Sequence, residues 1–236
     1  MFGIFELKKM KDFHKSALLL VTFLFISVLG FGQSHEIKIR FIGNCGLYMT
    51  DGATNFYIDF PYKSGAHNYM EYDDSEIDSI KDDAIFIFTH RHADHYSKKI
   101  LKKLTGQKFD PWNIDELEKL GETISDFEIK AFETSHKFYG ISFKHYSYLI
   151  TWHGKKIYIS GDTQNANTLA LQKDIDWTFA PVWLLTDAHE KGINLPEISK
   201  MYAIYHIGKK DKITNDGNDP QIKLLNEPGE IITISY

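Results

Sequence analysis

The chain has 236 residues, 43% of them hydrophobic, with 27 Lys and Arg against 32 Asp and Glu. This is enough for a sizeable core and excludes wholesale disorder, while a net charge of −5 offers no basic footprint for nucleic acid. A single cysteine excludes an internal disulfide framework and any zinc site built from several thiolates, so a bound metal would fall to carboxylates and to the 11 histidines.

The N-terminus carries Lys8, Lys9, Lys11 and Lys15, followed by an uncharged apolar run, ALLLVTFLFISVLGFG, from Ala17 to Gly32. A basic head, a short apolar stretch and small residues predict a signal peptide over residues 1–32, cleaved after Gly32. Met10 offers an alternative start. The expectation is an exported protein, periplasmic or secreted, with its domain over residues 33–236. The run is shorter than the roughly 20 residues of a spanning helix. Left uncleaved it would be an N-terminal anchor, the only route by which this chain would meet a membrane. Oligomeric state leaves no trace in the sequence.

Glu36–Ile42 alternates as a strand and stops at Gly43-Asn44. Cys45 lies in that turn and reads as a small buried filler. Leu47–Thr50 and Asn55–Phe60 flank Asp51-Gly52, a hairpin signal. Residues 61–83 form a long polar and aromatic stretch, read as a functional loop with a short helix at Ser75–Ile80. Ala84–Phe88 (AIFIF) is a buried-strand run that ends at Thr89-His90. Short helices are predicted at Ser97–Leu104, Asn113–Leu120, Thr168–Gln172 and Glu197–Lys200. Strands are predicted at Phe127–Phe132, Tyr146–Trp152, Lys156–Ile159, Trp177–Pro181, Met201–Tyr205 and Ile231–Ser235. The segment 184–196 reads as a loop. Apolar strands with helices between them predict one α/β domain, sheets inside and helices outside.

The chemistry concentrates in Thr89-His90-Arg91-His92-Ala93-Asp94-His95. His90 and His92, two residues apart, can aim at one ion from an extended stretch. Asp94 and His95 follow as the chain turns and can reach a second ion beside it. Imidazole and carboxylate donors suit zinc, manganese or iron. Further candidates stand at later strand ends: His136 after EIKAF, Asp162 after KIYI and His206 after MYAIY. Loop-borne sites collect where strand ends meet at one rim. Among the other histidines, His35 and His145 read as surface residues and His153 as a hairpin-turn residue, while His67 and His189 are candidates to face substrate. Tyr62, Tyr69, Tyr72 and Trp183 are candidates to wall a pocket.

From IRFIGNCGLYMTDGATNFYIDF through H-x-H-x-D-H to PGEIITIS, the chain resembles the metallo-β-lactamase-fold metallo-hydrolases. The resemblance implies a four-layer αββα sandwich with a two-metal site at one edge. Position by position, it implies that His90, His92 and His136 hold a first ion and that Asp94, His95 and His206 hold a second. Asp162 would bridge them, and Asp59 would support the site by holding a ligand. Asp162 stands where zinc β-lactamases have Cys, which argues against antibiotic hydrolysis. His92 stands where oxygen-reducing diiron relatives have Glu, which argues against redox chemistry. Lactonase-like and phosphodiesterase-like members carry the bridging Asp.

The implied activity is hydrolysis of an ester, lactone or phosphodiester in a small-molecule substrate, using water activated between two divalent transition-metal ions. Zinc is the first expectation, with manganese or iron as alternatives. Asp94 is the candidate to orient that water or take its proton. The competing reading is a catalytically inactive metal- or ligand-binding member of the same fold.

Overall fold

Period-two alternation decides which face each strand buries. In β1 (Glu36–Gly43), Ile37, Ile39 and Phe41 fall on one face, and all three are buried. The computed structural model describes residues 35–236 apart from 139, 209, 214 and 216–218. The segment expected to be a signal peptide or anchor lies outside these residues. Among the described residues, no helix is long and apolar enough to cross a membrane.

Two six-stranded sheets form. The first runs in the order β12 (Ile231–Ser235), β1, β2 (Gly46–Thr50), β3 (Asn55–Ile58), β4 (Ile85–Ile87) and β5 (Gln107–Phe109). The second runs β11 (Ile222–Leu224), β10 (Ser199–Tyr205), β9 (Ile175–Pro181), β8 (Lys155–Ile159), β7 (Ile141–Trp152) and β6 (Phe127–Phe138). Both are mixed: β3–β4–β5 and β8–β9–β10–β11 pair in parallel, and the remaining pairs are antiparallel.

Three apolar clusters account for the layering. The largest lies between the sheets, uniting Ile39, Phe56 and Ile87 of the first with Ile129, Ile150 and Phe179 of the second. Phe56 stacks on Phe127 across this interface at 4.9 Å, and Trp152 meets Phe56 edge-on at 5.1 Å. Trp152 is fully buried, and truncating such a side chain to Ala costs about 3–5 kcal/mol. A second cluster covers the outer face of the first sheet, where Tyr57 and Phe86 meet Leu101 of helix α2 (Lys98–Leu101) and Ile77 of helix α1 (Ser75–Asp78). Helix α3 (Ile114–Leu117) sends Leu117 into the inter-sheet core. The third cluster covers the second sheet. Here Tyr158 and Ala180 meet Leu169 of α4 (Asn167–Ala170), Leu184 and Ala188 of α5 (Val182–Glu190), and Ile198 of α6 (Leu195–Ile198). The result is the expected helix–sheet–sheet–helix order.

Several local expectations are corrected. The segment read as a loop from residue 184 contains α5, whose buried Leu184 and Ala188 are four residues apart. β6 and β7 are twelve residues each, so His136 lies inside a strand, opposite Phe143, and not beyond its end. Ser199–Lys200 starts β10 and does not extend a helix.

Candidate metal centre

The loop that follows β4 is pinned from below by Asp59, a buried residue at the end of β3 with φ 48°. Asp59 accepts the Thr89 backbone N–H at 2.8 Å and the Thr89 hydroxyl at 2.8 Å. It also accepts Nδ1–H of His95 at 3.0 Å. With its hydroxyl proton committed to Asp59, Thr89 Oγ1 is an acceptor for Nδ1–H of His90 at 3.1 Å. Both rings therefore keep a proton on Nδ1 and turn Nε2 inward.

The other side chains arrive from separate strands. His136 donates Nδ1–H to the Asp162 carbonyl at 3.1 Å, and its Nε2 lies 3.1 Å from His92 Nδ1. Asp162 follows β8, and its backbone N–H donates to His145 Nε2 at 2.9 Å. That bond fixes the His145 proton on Nδ1, which lies 2.6 Å from Thr134 Oγ1. Gly161 makes this approach feasible: at φ +58°, a Cβ would stand 2.5 Å from His145 Nε2 and 2.8 Å from Thr89 Cβ. Asn44, in the β1–β2 turn, donates Nδ2–H to the Asp94 carbonyl at 3.0 Å and to Asp94 Oδ2 at 3.3 Å. Its own carbonyl accepts the backbone N–H of His206 at 3.0 Å.

Two groups of donor atoms result. One is His90, His92 and His136; the other is His95, Asp162, His206 and Cys45; within each, the atoms lie within 4.8 Å of one another. Asp94 adjoins the second group, with Oδ2 3.2 Å from His206 Nε2 and 3.6 Å from His95 Nε2. Asp162 spans the two: Oδ1 is 3.1 Å from His95 Nε2, and Oδ2 is 3.2 Å from His206 Nε2 and 3.9 Å from His90 Nε2.

The halves differ electrostatically. Burial, reinforced by neighbouring imidazoles, pushes His90 well below the usual histidine range and His92 down to about 4. These are neutral imidazoles, the form in which histidine binds metal. In the other half burial again opposes charge, but the carboxylates win. Asp162 leads in raising His206 to about 9 and His95 well above its ordinary value. Asp162 and Asp94 are in turn held low by these imidazoles, against their own burial.

The residues present fit transition-metal ions. Nε2 of His90, His95 and His206 is buried and makes no hydrogen bond, an arrangement that costs about 1–3 kcal/mol for each polar atom left unsatisfied. Two of these atoms lie 3.1–3.2 Å from carboxylate oxygens. Nitrogen and oxygen ligands bonded at about 2.0–2.1 Å to one tetrahedral ion stand about 3.3 Å apart.

All seven residues expected as ligands, and Asp59 beneath them, are thus brought to one rim. Above them opens a cleft of about 420 Å³, walled in part by His67, Tyr69, Lys137, Gln164 and Trp183. His67 Nε2 stands 3.9 Å from Asp94 Oδ1, and the Tyr69 and Trp183 rings meet His206 at 4.1 and 5.0 Å. His189 lies away from this cleft, beside Val182 and Leu185 of α5. Tyr62 and Tyr72 are buried in the outer cluster of the first sheet and serve packing. His145, read as a surface residue, is fully buried. Sequence reasoning passed over it and Asn44. His145 is the first residue of the buried half of β7, a boundary that the sequence itself does not mark.

No protein-family model matches the chain, and no curated protein matches it. Solved structures do. Igni18, a metallo hydrolase from the archaeon Ignicoccus hospitalis, is 18% identical over 85% of this chain and 99% of that one, with a TM-score of 0.60. An isothiocyanate hydrolase from Delia radicum gut bacteria is 15% identical over 84% and 100%, at 0.58. YhfI of Bacillus subtilis, a metallo-β-lactamase-fold protein, is 13% identical over 84% and 99%, at 0.55. With two mixed sheets face to face between helices and a matching architecture in each of these proteins, the chain has the metallo-β-lactamase fold.

Proposed function

We propose that the protein is a metal-dependent hydrolase of small-molecule esters, lactones or phosphodiesters, exported after removal of residues 1–32. His90, His92 and His136 would hold one divalent ion, zinc first. Asp94, His95 and His206 would hold a second, and Asp162 would bridge them. The observation that carries this reading is the set of buried Nε2 atoms of His90, His95 and His206 gathered around two carboxylates beneath an open cleft. Ions bound there would acidify a coordinated water and polarise the substrate oxygen.

This chain's own residues account for the rest. Asp94 Oδ2 faces His95 and His206, while Oδ1 faces His67 and the cleft. Asp94 would take the proton of the attacking water at Oδ1 and return it to the leaving oxygen. Tyr69 and Trp183 would exclude water on the His206 side, and Lys137 and Gln164 would supply polar contacts on the His136 side. Export rests on the basic head and apolar run alone.

The test is turnover by the metal-loaded chain on two parallel panels, activated phosphodiesters against lactones and simple esters. Turnover on either panel, abolished by EDTA and restored by zinc, is expected. Turnover that survives chelation would overturn the reading. Metal uptake with no turnover on either panel would favour the inactive binding member.

A further inference from the structure

The single cysteine of the chain reads from sequence as core filler. Its surroundings are different. Cys45 is the second residue of a two-residue turn between Gly43 and Gly46, where the β1–β2 register shifts. Irregularities of this kind re-aim a side chain. Here the side chain turns inward, 1% exposed, and Sγ stands 3.9 Å from Asp162 Oδ1. Sγ also lies within 4.8 Å of the donor atoms of His95 and His206. The Nε2 atoms of those two histidines are the buried, unbonded ones described above. The turn is tied to the same half of the centre twice more, through the Asn44 side chain on Asp94 and the Asn44 carbonyl on His206.

We propose that Cys45 is a thiolate ligand to the ion gathered by Asp94, His95, Asp162 and His206. The proposal rests on the reading of the centre as a metal site. With these five donors the ion is five-coordinate, and a sulfur bonded at about 2.3 Å and an oxygen at about 2.1 Å to it stand about 3.1–3.8 Å apart; the 3.9 Å contact, a thiol hydrogen bond to Asp162 Oδ1 in the metal-free chain, is close to the upper value. Bond formation releases the thiol proton to solvent and oxidises nothing. Asp162 would keep a carboxylate in the bridging position, and the sulfur would reach the second ion from a different turn, that between β1 and β2. A thiolate makes this half softer than the imidazole triad and favours zinc over manganese or magnesium.

The experiment uses the full chain, stripped of metal, kept reduced with a phosphine, and titrated with cobalt(II). The readouts are the visible d–d bands and the near-ultraviolet thiolate-to-cobalt charge-transfer band. Since Cys45 is the one cysteine of the chain, that band can have no other source within it, and the wild-type protein alone decides the question. The expected result is a charge-transfer band that grows with the second equivalent of cobalt and is absent from Cys45→Ser, whose d–d bands persist. Saturating d–d bands without a charge-transfer band would overturn the thiolate and leave the metal centre standing. Absence of both would overturn the metal reading together with it.

Discussion

Replacing Asp59 by Asn tests whether the second half of the centre is organised from beneath. Asp59 is fully buried and accepts from three donors: the Thr89 N–H, the Thr89 hydroxyl and His95 Nδ1–H. An Asn of the same shape keeps one acceptor oxygen. If that oxygen serves His95 and the hydroxyl, the amide NH2 confronts the Thr89 N–H. If it serves the N–H, the NH2 confronts the imidazole proton. Either way one hydrogen bond to a charged group is lost, worth about 1.5–3 kcal/mol, and in the second arrangement the His95 ring is free to turn or change tautomer. Substitutions behind a metal-ligating histidine cost about 10–100-fold in affinity, or about 1.4–2.8 kcal/mol, in line with the hydrogen-bond figure. Asp59 bonds His95 directly and reaches His90, of the other half, through Thr89. A competition titration against a chromophoric chelator should therefore show one ion weakened by that factor and the other weakened less. Wild-type affinity at both ions, or equal losses at both, would refute the reasoning.

Gly161→Ala should destabilise the fold by about 2–5 kcal/mol, combining left-handed strain of about 1–2 with overpacking of about 1–3 against His145 and Thr89; urea denaturation of the metal-free protein measures it, and a loss below about 1 kcal/mol would contradict the packing described. Asp94→Asn should lower kcat by about 10²–10⁴-fold with unchanged circular dichroism, and an unaffected kcat would remove Asp94 from proton transfer. Metal uptake should depend on pH differently in the two halves. With His206 at about 9 in the metal-free chain, a proton occupies the second half below that pH and the ion must displace it, so affinity there falls as pH is lowered. His92, at about 4, holds no proton over the same range, so the imidazole triad should stay loaded from pH 7 down to about 5. Parallel weakening of both ions in isothermal titrations would contradict this division.

The site was legible where its chemistry is contiguous. Five residues, His90 to Asp94, with His95 behind them, point to metal binding without any tertiary information. The single positions His136, Asp162 and His206 gained meaning from their order along the chain, and the fold gathers them. The supporting residues were opaque because their function is entirely geometric. His145 sits beside the exposed Lys144 and Phe143, and only the pairing of β6 with β7 shows that it faces inward under Asp162. Asn44 looks like an ordinary turn residue until Asp94 and His206 are seen to hang on it. Short elements were missed for a different reason. β5 and β11 are three residues each, too brief for periodicity to register, and they exist because a sheet edge was present to receive them. Helix α5 shows only one buried i, i+4 pair, Leu184 and Ala188, and its start right after Pro181 resembles a loop boundary.

The central claim is that two ions are held by two distinguishable sets of side chains. Elemental analysis of the reconstituted chain, repeated on a His90→Ala, His92→Ala double variant, tests it most directly. The account predicts about two transition-metal ions per chain in the wild type, one fewer in the variant, and loss of hydrolysis with that ion. No bound metal in the wild type, or a double variant with full metal content and full activity, would contradict it.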